Sequence, residues 1–180
     1  MASVPLRLAV VVGSTREGRF GPTVASWFAD QTAQRDDMTV DLLDLAHVDL
    51  ADGTFAAAIG AADAIVVVVP EYNHSFPGPL KTAIDSVSAE WFAKAVAFVS
   101  YGGISGGLRA VEALRLVFAE LHVVTIRDTV SFALAWEQFD GQGEPKERAA
   151  VGAAATRMLN QLAWWASTLR AGRNERAYVM

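Results

Sequence analysis

The sequence predicts an α/β fold in which a parallel sheet lies between two layers of helices, and three observations predict it. Short, nearly continuous apolar runs recur along the chain, as strands buried on both faces require. Stretches of helical period separate them. The three unusual polar or glycine-bearing loops each follow the carboxyl end of such a run, where ligands bind in open parallel sheets.

The first run is "LRLAVVVG" (6–13), short and β-rich. The helix expected over 21–35 places Pro22 at a first-turn position and Val24, Trp27, Phe28 and Gln31 at helical spacing. A second strand is expected over 38–45, then a helical turn around 54–61, then the most apolar strand, "AIVVVVP" (64–70). The third helix is expected over 77–88, with Ser75 as its cap and Leu80, Ile84 and Val87 on one face. A fourth strand (95–103) leads into a helix over 105–121 that Ser105 would cap. The fifth strand spans 122–134 with a bend near Arg127–Asp128. A polar, glycine-rich insertion (136–148) and a long helix complete the chain. Right-handed crossovers between five such units lead to strand order 2-1-3-4-5 or to half of a dinucleotide-binding fold.

Composition narrows the function. A chain of 180 residues suits one domain over 1–180, and its 52% hydrophobic and 19% charged residues are those of a folded protein. A net charge of -5 offers no general attraction to nucleic acid or anionic lipid, so an anion must be held locally. The absence of cysteine removes thiolate chemistry and fits a reducing, cytoplasmic setting. No export signal is expected at the N-terminus, and no run approaches the roughly 18 apolar residues of a membrane span. His47, His74 and His122 have no ligand spacing, so no metal is expected.

Loop chemistry then suggests one site. In "VVGSTREGRFGPT" (11–23) a strand runs into Ser14, Thr15, Arg16, Arg19 and Phe20 and then a helix start, the ingredients of a phosphate cradle. It lacks both G-x-x-x-x-G-K-[ST] and G-x-G-x-x-G, which argues against a nucleoside triphosphate and against a dinucleotide paired with Asp44; that aspartate reads as a solvated strand end. In "PEYNHSFPG" the apolar strand ends on Pro70 and turns into Glu71, Tyr72, Asn73 and His74, whose peptide groups and phenol could face a planar heterocycle. In "SYGGISGG" (100–107), Gly102 and Gly103 allow close approach of a flat ligand. Ser105 in "GISGG" also matches a nucleophile elbow, but the only later histidine, His122, lies about 25 Å away along a helix, so the hydrolase reading fails.

With its "GSTREGR", "PEYNHSFPGPLKTAID" and "SYGGISGGLRAVEALR" motifs at these separations, the chain resembles the NAD(P)H-dependent FMN reductase family of flavodoxin-like proteins over residues 6 to 130. The resemblance implies a flavodoxin-like sandwich of order 2-1-3-4-5 and an enzyme that takes hydride from NADPH or NADH to FMN and passes electrons to a small acceptor: free flavin, quinone, azo compound or chromate. It implies phosphate at Ser14 to Phe20, the flavin ring against Pro70, Glu71, Tyr72 and Asn73, and Tyr101, Gly102 and Gly103 bordering its other side, with Ser105 also in the cofactor-binding set. It also implies a homodimer or homotetramer whose neighbouring subunit completes the site, and it assigns no catalytic side chain. The chain departs from the family at Arg19 and Gly21, where many relatives carry serine and asparagine. The competing reading is a flavodoxin-type electron carrier, which would favour a clustered acidic docking face; Asp36, Asp37, Asp41, Asp44 and Asp49 are the densest acids. A phosphate-binding regulator would leave the second and third loops without purpose. Phe76, Trp91 and Phe92 read as packing rather than as an acceptor wall.

Overall fold

The computed structural model describes residues 4–179. Residues 1–3, part of the segment expected to carry no export signal, lie outside them. Five parallel strands, β1 (Leu6–Val12), β2 (Met38–Asp44), β3 (Ala64–Pro70), β4 (Ala95–Tyr101) and β5 (Val124–Phe132), form one sheet of order β2-β1-β3-β4-β5. This is the flavodoxin-like order. Helices α1 (Gly21–Ala33) and α6 (Arg148–Glu175) cover one face, while α2 (Thr54–Ala61), α3 (Gly78–Asp85) and α4 (Leu108–Glu120) cover the other. A four-residue helix, α5 (Ala135–Gln138), follows β5. Among the described residues no helix is long and apolar enough to cross a membrane.

Every residue of β3 and β4 is buried, because both strands are interior and helices lie on both faces. Along β1, Leu8, Val10 and Val12 face α1 and α6, and Ala9 and Val11 face the other layer. The strand order reverses between β1 and β3, so the loops after those two strands open side by side at the sheet's carboxyl edge.

Several boundaries differ from the sequence expectation, each for a local reason. α3 stops at Asp85 rather than 88, where the Ser86 N–H turns back to Thr82 and Ala83 and the Trp91 indole caps the Ile84 carbonyl at 3.0 Å. Neither expected serine cap forms: Pro77 precedes α3 and Gly107, in the left-handed region, precedes α4. β5 begins at Val124 rather than 122, since His122 has φ +57°. The bend expected near Arg127–Asp128 is a bulge: Val96 pairs with Thr125 but Phe98 pairs with Thr129. Arg115 fills it, donating to the carbonyls of Ile126 (2.8 Å) and Arg127 (3.1 Å) and so blunting an edge strand.

Just before β4, at the amino end of the sheet, Lys94 is only 4% exposed and donates to the carbonyls of Ile59 and Gly60 at the end of α2. Burial, assisted by Arg173, pulls its pKa down from 10.5 to about 8. Between those two values the unfolded chain binds a proton that the folded chain does not, so stability rises with pH across that window. Relative to Lys94→Met, the parent should gain up to about 3 kcal/mol between pH 7 and pH 10. Urea unfolding of both proteins across that range checks this, and a constant gap between them contradicts it.

Candidate functional site at the carboxyl edge of the sheet

The β1–α1 loop begins with Gly13, whose missing Cβ leaves room for Leu80: a Cβ there would stand 3.0 Å from Leu80 Cδ2. Ser14 is then fully buried, and its hydroxyl shares a 2.6 Å hydrogen bond with the Tyr72 hydroxyl of the β3–α3 loop. Arg16 reaches the same tyrosine from solvent, with its guanidinium carbon 3.6 Å from the Tyr72 ring centroid. These contacts hold the first two loops together.

Arg19 behaves differently from Arg16. It forms a 2.5 Å ion pair with Asp44 at the end of β2, with the two side chains only 15% and 20% exposed. The expectation of a solvated Asp44 is therefore corrected: β1 and β2 are parallel neighbours, so their carboxyl ends bring this pair together. Arg16 has no carboxylate partner among the described residues, and it is the free cation of the loop. The departure at position 21 also acquires a cause. A Cβ on Gly21 would meet the Tyr101 hydroxyl at 2.9 Å and Val12 at 3.0 Å, so an asparagine has no room. Phe20 packs against Tyr101 and Phe139, which makes its ring a wall of the core and its backbone the start of α1.

Pro70 is the last residue of β3, paired with Tyr101, and the chain then closes into a tight turn. Tyr72 and Ser75 exchange N–H···O bonds of 2.9 and 3.0 Å, while Asn73 and His74 take φ of +50° and +67°. The N–H of Glu71 is likewise engaged, with the Tyr101 carbonyl at 3.2 Å. Of the peptide donors expected to face a heterocycle, that of Glu71 thus serves the pairing with β4 and that of Tyr72 the turn itself. Asn73 and His74 are exposed at its tip.

Glu71, expected at the rim for its peptide groups, is held there through its side chain. Its carboxylate accepts from Ser105 Oγ (2.5 Å), Arg109 Nε (2.7 Å) and the Arg109 N–H (3.2 Å). Burial alone would push this carboxyl up, but the hydrogen bonds from Ser105 and then Arg109 outweigh it and hold Glu71 below the usual carboxylate range. Arg109 Nη1 also lies 2.9 Å from His74 Nε2. Ser105 therefore serves a carboxylate rather than a histidine, and His122 sits past the far end of α4 with Tyr178, as the geometric argument against a hydrolase requires. Gly102 and Gly103 are half-buried, and their carbonyls accept from Ala135 (3.1 Å) and Leu134 (2.9 Å), so the start of α5 braces this loop. Trp136 stands exposed beside Gly103, a feature that only its tertiary setting reveals.

The three loops meet, and the donor set fits FMN. α1 has no acidic residue in its first turn and no side-chain cap, so its first N–H groups and dipole are free for an anion. Two buried polar atoms at the rim, Tyr101 Oη and Arg19 Nε, have no hydrogen-bond partner among the described residues. Burial pushes the Tyr101 phenol well above its ordinary pKa, with Tyr72 adding to the effect, so it remains a donor. A cavity of about 880 Å³ lies on the flank between α4, β5 and α6, lined by Arg115, Arg127 and Arg157. Of its arginines, Arg115 is already engaged with Glu112 and two carbonyls, and Arg127 lies 3.4 Å from Asp128.

Residues 6–137 match the profile of the NADPH-dependent FMN reductases. The chain belongs to that family. A fission yeast (Schizosaccharomyces pombe) protein named NAD(P)H-dependent FMN reductase is 29% identical over 120 residues, covering 56% of this chain and 60% of that one. A potato (Solanum tuberosum) NAD(P)H:quinone oxidoreductase is 34% identical over 146 residues, or 69% and 74% of the two chains. Among solved structures, the flavoenzyme NAD(P)H:(acceptor) oxidoreductase of Paracoccus denitrificans superposes with a TM-score of 0.69 at 19% identity, covering 91% of this chain and 98% of that one. This last likeness speaks to the fold.

The remaining aromatic expectations resolve by position. Trp91 is buried against Phe55 and Phe118, and Phe92 lies with His122 and Tyr178 at the amino edge of the sheet; neither borders the rim. Phe76 packs half-buried against the core on the α2, α3 and α4 face of the sheet. The densest acids are largely paired: Asp37 with Arg35, Asp41 with Arg7 and Asp44 with Arg19. Among the described residues only Asp36 and Asp49 of this set have no ion-pair partner.

Proposed function

We propose that the rim binds FMN, with the phosphate at Ser14, Thr15, Arg16 and the α1 N-terminus, and the ring between the Pro70–Asn73 turn and Tyr101–Gly103. The protein is an FMN-dependent oxidoreductase that takes hydride from NADPH or NADH and reduces a small acceptor of quinone type. The observation that carries this reading is the Ser14–Tyr72 and Glu71–Ser105 bridging of three loops around an unpaired arginine and an uncapped helix start.

FMN supplies the two-electron chemistry that links a hydride donor to an acceptor. The chain's own residues bind and orient it. Arg16 and the α1 N–H groups match a phosphate in charge and direction. Tyr72, hydrogen-bonded to Ser14 and with Arg16 over its ring, fixes one wall; Gly102 and Gly103 bring no side chain of their own to the other, where Trp136 stands next to Gly103. No side chain is required to move a proton. The 1–180 chain acts as one domain and works in the cytoplasm as a homodimer or homotetramer, a reading supported by its lack of cysteine and by the open rim, which a second subunit would cover.

Anaerobic spectroscopy tests the activity. FMN-loaded protein should lose its yellow colour within seconds of adding NADPH or NADH and regain it on adding 1,4-benzoquinone. Bleaching by dithionite but by neither nucleotide would favour the carrier instead.

A further inference from the structure

We infer that Glu71 acts through its side chain as a positioning residue: its carboxylate, clamped by Ser105 and Arg109, sets the spacing between the two turns that hold the flavin ring. The inference rests on the proposed flavin site and adds Arg109 and His74 to it.

A carboxylate at the end of an interior strand is costly unless it is compensated, and the Glu71 side chain is only 8% exposed. Its compensation comes entirely from across the rim. Ser105 and Arg109 lie 34 and 38 positions away in sequence, so the three hydrogen bonds join the β3–α3 turn to the start of α4. Arg109 then reaches back to His74, gripping the 71–75 turn at a second point. That turn is stiff, being closed by the reciprocal Tyr72–Ser75 bonds, so what happens to Glu71 is transmitted to Tyr72 and Asn73 as a rigid shift. Gly102, on the other wall, lies next to Glu71: a Cβ there would stand 3.6 Å from Glu71 Cβ.

The clamp also sorts the two long helices that start at this edge. Because Glu71 accepts from the Arg109 N–H in the first turn of α4, that helix start already has its anion. The α1 start has none. The phosphate and ring ends of the site are thereby separated, and substitutions at each end should affect different parts of the ligand.

Titrating apoprotein with FMN and with riboflavin, which lacks the phosphate, exploits this separation. In Glu71→Gln the dissociation constants of both should rise by the same factor, about tenfold. The midpoint potential of bound FMN should move upward, because the Arg109 charge is left unbalanced; a merely structural role would lower thermal stability without moving the potential of the bound flavin. Ser105→Ala, which leaves the ion pair in place, should raise both constants about threefold. Unchanged riboflavin affinity in folded Glu71→Gln overturns the inference, as does a rise for FMN alone. If Glu71→Gln does not fold, Ser105→Ala decides by the same criterion. A parent protein that binds neither flavin overturns the proposed site itself, and the inference with it.

Discussion

Replacing Arg16 by alanine is expected to weaken FMN binding by between about tenfold and a hundredfold, while riboflavin affinity stays within about twofold. A charge-assisted hydrogen bond is worth roughly 1.5–3 kcal/mol, and each 1.4 kcal/mol is about a factor of ten. The full effect falls on Arg16 because the other arginine of the loop is neutralised: Arg19 lies 2.5 Å from Asp44, and their charges cancel before any ligand arrives. Arg16 instead stacks on Tyr72, a contact worth about 0.5–1 kcal/mol, which is weak enough to yield to a phosphate. Fluorescence titration of apoprotein with each flavin checks the outcome. Equal FMN affinity in variant and parent would remove the phosphate from this loop.

The largest expected loss of stability comes from Gly107→Ala, about 3 kcal/mol and a fall in Tm of roughly 10 °C. Gly107 has φ +84°, and a Cβ there would stand 2.8 Å from Ser100 Cβ and 2.9 Å from both the N and O of Tyr101. Those atoms belong to β4, which is paired on both sides, so they cannot retreat without breaking ladder bonds to β3 or β5. Gly18 is the control. It also has positive φ, +63°, but a Cβ there meets nothing within 4 Å, so Gly18→Ala should cost only the backbone strain, about 1 kcal/mol. Scanning calorimetry of both variants separates clash from strain; equal losses would contradict the steric account.

The sheet was legible because each of its strands carries its own pattern. β3 reads as seven consecutive buried residues, and its bounds match the apolar run. The bulge in β5 was visible as a charged pair inside a β-rich run. Features decided by residues far apart in sequence were not. Ser75 and Ser105 each precede a helix, which is the local signature of a cap, yet Ser75 closes a turn with Tyr72 and Ser105 binds a carboxylate from another loop. The pairing of Arg19 with Asp44 is invisible in the loop itself, because the two residues are 25 positions apart. Glu71 read as a source of backbone groups, and only the approach of α4 shows its side chain to be the point where two loops are tied. Chain order thus revealed which loops would gather at the rim, whereas the pairing of side chains within it depended on register between strands.

The most direct test is a crystal structure of the protein with FMN. The account predicts the phosphate within hydrogen-bonding distance of Arg16 and the first turn of α1, and the ring between Tyr72 and Gly103. Density for the flavin in the arginine-lined flank cavity beside β5, with the rim loops unchanged and empty, would contradict it.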